Sequence, residues 1–331
     1  MASQLQQEIE SQPEMLARLL DRELDRIGTH VVALPACDYV LIAARGSSDH
    51  AAVYAKYAWA ALAGYPVALA TPSLYTLYGT PPRLNGALVV GISQSGQSPD
   101  ITAVVEEARR QGRPTLAITN DADSPLAMSA DFVVELHVGQ ERSVAATKTY
   151  TAQLAVMAAY AACWSGDQAR LDELRRMPEA IHATLNASAD LAERAERYRY
   201  MDVCTIVGRG YNYATSFELA LKLKELTYVM ATSYSSADFR HGPIATVESG
   251  SPVVLVMPTG ESYNDMLELA DELERRNAEL LVISERAAAL ARARTPLPMH
   301  DGVPEWLSPI PAIVPGQLLA LHLALAKGLD P

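Results

Sequence analysis

Two stretches of the chain carry residue types that could do chemistry. The first is GISQSGQSPD, residues 91–100, where Ser93, Gln94, Ser95 and Ser98 surround Gly96 between an apolar run, LNGALVV, and an amphipathic segment, ITAVVEEARRQG. The second is FELALKLKELTYVM followed by SYSSADFRHGP, which sets Glu225 and His241 sixteen residues apart. Neutral hydroxyl and amide donors at the start of a helix can hold a phosphate without any arginine. The unpaired backbone N–H groups and the positive end of the helix dipole already favour an anion there. A carboxylate and an imidazole, for their part, are side chains suited to moving protons near neutral pH.

Each stretch also has a plainer explanation. Serines before helices are commonly N-caps, but a cap needs one serine and SQSGQS supplies three with a glutamine. The turn RGSSDH repeats the arrangement with Gly46, Ser47 and Ser48, and RSVAATK offers Ser143, Val144, Ala146 and Thr147 at a third helix start. Three such loops on one sheet edge could surround one small phosphorylated molecule. Neither P-loop nor GxGxxG spacing is present, which disfavours ATP or NAD. In the second stretch Glu218, Lys222 and Glu225 fall at i, i+4 and i+7 and share a helix face. Spacing by itself favours a solvated charge stripe there, because a glutamate four residues before a lysine is a good surface pair.

The elements that must position these residues follow from periodicity. Residues 39–64 give a short buried strand, a Gly-Ser turn and a long helix ending at Gly64; further strands are predicted at 66–71, 87–93, 114–119 and 132–137, and a helix over 11–27. Strands alternating with helices indicate a parallel sheet covered on both faces. A charged helical stretch follows residue 165, and the pattern then returns: Gly210 stands 164 residues after Gly46, and 251–284 parallels the stretch from GALVVGIS to TLAIT. A shared offset at two places is an internal duplication. The organisation predicted is an N-terminal α/β domain with a leading helix over 1–165, a helical connector over 166–195 and a second α/β domain over 196–331. In the second copy the serine loop has become MPTGES, so its phosphate site is expected to be vestigial.

Bulk properties narrow the partners. A net charge of −12 over 331 residues argues against nucleic acid or an anionic membrane surface, both of which reward clustered Lys and Arg. Cys37, Cys163 and Cys204 form no CxxC pair and read as reduced thiols of a cytoplasmic protein, and nothing suggests a metal site or a cofactor. The polar start, MASQLQQEIESQPEML, is not a signal peptide. The apolar stretch at 154–164 falls short of the ~20 residues a membrane span needs.

SQSGQSPD, with RGSS upstream and SVAATKTYTAQL downstream, resembles the sugar isomerase (SIS) domain. From EIESQP to PGQLLALHLALAKG, the chain resembles the isomerase half of glucosamine-6-phosphate synthase and its stand-alone relatives, the double-SIS phosphosugar isomerases and deaminases. The resemblance implies two tandem SIS domains, each a flavodoxin-like three-layer α/β sandwich. It implies that Ser47, Ser48, Ser93, Gln94, Ser95 and Ser98 bind the sugar phosphate, with Val144 and Ala146 lining the sugar. It further implies Glu225 as the base that moves a proton between C1 and C2, His241 as the acid/base that opens the pyranose, and Lys222 as a supporting cation. In the relatives the histidine of the RHGP-like stretch reaches the neighbouring subunit's site, so a homodimer with shared active sites is expected.

Two departures from the family shape the expectation. Ala2 stands where the synthase has its glutaminase cysteine, and no glutaminase domain precedes the isomerase portion, so an internal source of ammonia is not expected. The sequence also stops at AKGLDP, before the tail lysine with which relatives form an imine; Lys327 lies too early to match it. Either a tail is missing from the chain or the protein works without imine formation, as would suit an amino sugar with its own nitrogen. The expected activity is therefore aldose–ketose isomerisation with deamination of glucosamine 6-phosphate or a close analogue. A plain phosphosugar isomerase or a fructosamine-6-phosphate deglycase is the neighbouring alternative. A sugar-phosphate-sensing module is the alternative from another class; it would tolerate loss of Glu225 and His241, and both are present.

Overall fold

The computed structural model describes residues 3–331, which divide into two compact units. One comprises 14–141 and 148–175; the other takes the segment ending at Pro13, the loop 142–147, and 176–331.

In the first unit the Val- and Ile-rich runs form five strands: β1 (Tyr39–Ala43), β2 (Val67–Leu69), β3 (Ala87–Ile92), β4 (Thr115–Thr119) and β5 (Phe132–Glu135). They pair in parallel in the order β2-β1-β3-β4-β5. Every residue of β3 and β4 is buried, as continuous apolar runs covered on both faces should be. Leu41, Val89 and Ala117 pack with Ile101, Val104 and Val105 of helix Pro99–Arg110. Helices Ser47–Ala63 and Lys148–Ser165 pack against each other, with the Trp59 and Trp164 rings 5.1 Å apart edge to face and Trp59 Nε1 donating to the Met157 carbonyl at 2.8 Å.

The second unit repeats the plan with β6 (Val203–Gly208), β7 (Met230–Ser235), β8 (Pro252–Val256), β9 (Glu279–Ser284) and β10 (Thr295–Pro298). Its order, β10-β9-β8-β6-β7, is the same topology, again all parallel. The repeat read from Gly46 and Gly210 is thus a repeat of strand order, and the fold is the expected pair of flavodoxin-like α/β sandwiches.

Three features differ from the sequence expectation. The N-terminal helix runs over Gln12–Ala33, longer than predicted, and a short helix, Gln4–Glu10, precedes it, its first turn capped by Ser3. The stretch 166–195 contains three helices, Gln168–Arg175, Met177–Ala187 and Leu191–Ala195. Among the described residues, the helix long and apolar enough to cross a membrane is Pro309–Ala326, and 83% of it is buried inside the protein. Proline lies in its first turn and Pro315 inside it. Gly316 is there for closeness: a Cβ would come within 2.9 Å of Leu219 Cδ1.

Candidate functional site

In the first sheet β1 and β3 are neighbours, while the chain leaves them toward opposite edges, so the crevice beyond their carboxyl ends is the topological switch point where open α/β sheets bind ligands. Both serine loops lie there. Ser47 and Ser48 open helix Ser47–Ala63 directly after the β1 turn, and residues 93–98 connect β3 to helix Pro99–Arg110. Gly46 has φ +55°, a left-handed turn that favours glycine. Gly96 has φ +63°, and a Cβ on it would sit 2.0 Å from Ser124 Oγ, so no side chain fits where the loop folds back. Ser98 occupies the N-cap position yet makes no capping bond, and Ser95 Oγ accepts from the Gln97 amide at 3.3 Å. Simple capping therefore does not account for the serines. Gln94 is braced by Glu141, to whose carboxylate its Nε2 donates at 3.1 Å, and Ser48 Oγ accepts from buried Gln153 Nε2 at 2.9 Å.

Several partners of these loops have no signal in local sequence. Arg45, after β1, pairs with Asp100, in the first turn after β3, at 2.7 Å, and Thr76 Oγ donates to the same carboxylate at 2.9 Å. The bond from Arg45, with that from Thr76, holds the Asp100 carboxyl below the usual carboxylate range. The pair ties the two loops together and balances the Arg45 charge. His137 Nε2 stands 2.7 Å from Glu23, and its Nδ1 3.3 Å from Glu135. Burial raises all three thiols, Cys204 to about 12, so none is an activated nucleophile.

In the second unit, the loop bearing Val144 and Ala146 is held by the short N-terminal helix. Glu8, 2% exposed, accepts the Arg142 amide at 2.7 Å and the Ser143 amide at 3.3 Å. Gln12 Nε2 donates to Gln317 Oε1 at 2.8 Å, and Gln317 reaches the Thr147 carbonyl at 3.4 Å. Val144 itself is exposed. Glu8→Ala withdraws one acceptor from two amides and should destabilise the fold by about 1–3 kcal/mol for each amide left buried without a substitute. Urea unfolding checks the size, and faster hydrogen exchange at Arg142 and Ser143 locates the effect.

Helix Tyr213–Thr227 carries the candidate acid–base group. Lys222 Nζ lies 2.6 Å from Glu225 and 3.4 Å from Glu218, and the side chains of Glu218 and Lys222 are 0% and 1% exposed. This is a buried charge cluster, not a solvated stripe. Burial by itself would lower the Lys222 pKa, but Glu218 and Glu225 more than offset that and raise it, so the ammonium is charged. Glu225, 31% exposed, is the member open to a ligand. His241 is exposed at the end of helix Ser236–Arg240. Arg240 beside it fixes that turn to helix Tyr263–Arg275 through Asp265 at 2.7 Å and Glu272 at 3.0 Å.

Two copies of one parallel α/β sandwich, with hydroxyl-rich loops at the first sheet's switch point and a buried Glu–Lys–Glu group on a helix of the second unit, define a tandem α/β protein with a candidate anion site and a candidate acid–base group. The SIS domain family matches residues 34–163 and 204–326, and the chain belongs to that family. It is 33% identical over 98% of its length to glutamine–fructose-6-phosphate aminotransferase [isomerizing] of Thermococcus kodakarensis, covering 55% of that protein. The chain thus spans about half the length of the curated relatives it matches. Among solved structures, the C-terminal domain of glucosamine-fructose-6-phosphate aminotransferase from Francisella tularensis has a TM-score of 0.91 at 26% identity, covering 100% of this chain and 98% of that one. A Silicibacter pomeroyi protein, provisionally assigned as a phosphosugar isomerase, has a TM-score of 0.90 at 34% identity with 100% of both chains covered. The chain is homologous to the isomerase domain of the aminotransferase.

Proposed function

We propose that the protein is an aldose–ketose isomerase of amino-sugar 6-phosphates that releases ammonia, with glucosamine 6-phosphate or a close analogue as substrate. The observation that carries this reading is the partly exposed Glu225 carboxylate hydrogen-bonded to a buried ammonium. A base of this kind can take a proton from carbon next to a carbonyl. The homologues named for fructose 6-phosphate and glucosamine support an amino-sugar phosphate as the substrate class. Ser47, Ser48, Ser93, Gln94, Ser95 and Ser98 bind the phosphate dianion, and Val144 and Ala146 lie against the sugar. His241 opens the ring. Glu225 removes the C2 proton and returns it at C1, while Lys222 balances the charge that builds up. The C2 iminium so formed takes up water and expels ammonia, leaving the ketose phosphate. The working form is a cytoplasmic homodimer.

The test is a panel of 6-phosphorylated amino sugars assayed for ammonia, run beside a ketose assay on their neutral counterparts. Ammonia and ketose phosphate should appear in equal amounts. Ketose without ammonia would make the protein a plain isomerase, and absence of turnover with retained binding would favour a sensing module.

A further inference from the structure

We propose that Glu305 is a built-in anion that fills the cradle after β8, so that the C-terminal copy is closed to phosphosugars and the chain holds one such ligand, not two. The count of one rests on the proposed phosphate role of residues 93–98; closure of the second cradle stands independently of it.

Gly260 and Ser262 stand 164 residues after Gly96 and Ser98, the same offset that relates Gly210 to Gly46. Helix Tyr263–Arg275 then begins as helix Pro99–Arg110 does after the first loop. Since β6 and β8 are neighbours, this loop lies at the second sheet's own switch point, where a ligand belongs. A carboxylate of the chain is lodged there. Glu305 Oε2 accepts the Glu261 amide at 2.8 Å, and Oε1 accepts the Ser262 amide at 3.1 Å and the Ser262 hydroxyl at 2.5 Å. Two backbone amides and a hydroxyl at a helix start are the donors a phosphate would use. Gly260 permits the approach: a Cβ there would lie 2.2 Å from the Glu305 carboxyl carbon. Glu285 takes the neighbouring Thr259 amide at 2.7 Å, adding a second negative charge that opposes a dianion.

The main chain at Glu305 is held as well. Ser308 Oγ donates to the Glu305 carbonyl at 2.7 Å and accepts from Asn212 Nδ2 at 2.7 Å, with Asn212 and Ser308 buried. Asn212 follows β6 and Glu305 follows β10, so the loops after β6, β8 and β10 are joined around one internal anion. The donors of the second loop thus serve the fold in place of a ligand.

Inorganic phosphate is the probe. In a chain whose first loop is disabled by Ser93→Ala, Ser95→Ala and Ser98→Ala, calorimetry should detect no phosphate uptake, and adding Glu305→Ala should create one saturable site. Adding Glu305→Gln, which keeps an acceptor in place, should create none. A folded Glu305→Ala chain that takes up no phosphate overturns the proposal. Should that variant not fold, the unaltered chain decides by amide NMR. The Glu261 and Ser262 signals should stay still during a phosphate titration, and their movement would overturn closure of the second cradle. Silence at both loops would refute the role of residues 93–98 while leaving Glu305 as the resident anion.

Discussion

If Glu225 is the proposed general base, Glu225→Gln should lower turnover by about 10²–10⁴-fold, the range that a positioned general base supplies, while substrate affinity changes little. The amide has nearly the shape of the carboxylate, so it can still accept the 2.6 Å hydrogen bond from Lys222 Nζ. What it cannot do is take a proton from carbon. The proposed phosphate ligands, Ser47, Ser48, Ser93, Gln94, Ser95 and Ser98, belong to a different sheet, so dissociation constants measured calorimetrically should stay near those of the parent. Loss of binding in step with turnover would make Glu225 a binding residue and remove the proposed mechanism. The same variant examines the shared site. If His241 serves the neighbouring subunit, mixing Glu225→Gln chains with His241→Ala chains should restore activity that neither has alone, because some mixed dimers then contain one intact site.

Much of the scaffold was legible because the signals were local. Continuous apolar runs such as ALVVGI mark β3 as buried on both faces, and the glycines and serines that follow mark where the chain must turn. The repeat supplied the second sheet's topology without further information. Burial of polar groups was not legible. Glu218, Lys222 and Glu225 have the spacing of a surface ladder, and only packing around helix Tyr213–Thr227 removes the first two from water. Long-range partners escaped for the same reason: Glu8 with residues 142 and 143, Arg45 with Asp100, and Glu305 with residues 261 and 262 are pairings that no spacing rule encodes. In the loop MPTGES the loss of the Ser and Gln side chains of SQSGQS is visible in sequence. That its amides hold a carboxylate is visible only once β10 and the turn at Glu305–Leu307 are in place.

Lys222→Met should give the largest loss of stability of any single change at the candidate site, about 3–5 kcal/mol, the usual consequence of removing one partner from a buried ion pair. Methionine fills most of the volume, so the loss is electrostatic: Glu218, fully buried, is left without its ammonium. Urea midpoints measure it. Glu218→Gln combined with Lys222→Met should recover a large part of the loss, because a neutral amide costs less to bury than a carboxylate; failure to recover would trace the damage to packing instead. The pH dependence has a defined sign. The carboxylates raise the folded pKa of Lys222 above its ordinary 10.5, so the parent's stabilisation is complete below that value and is lost as pH rises through the folded one. In Lys222→Met the buried Glu218 carboxylate loses the ammonium 3.4 Å away, so the variant should regain stability as acid neutralises that carboxylate. The gap between parent and variant should therefore narrow both in strong alkali and in mild acid, and be widest near neutrality. A packing defect would keep the gap constant across that range, which separates an electrostatic role for Lys222 from a space-filling one.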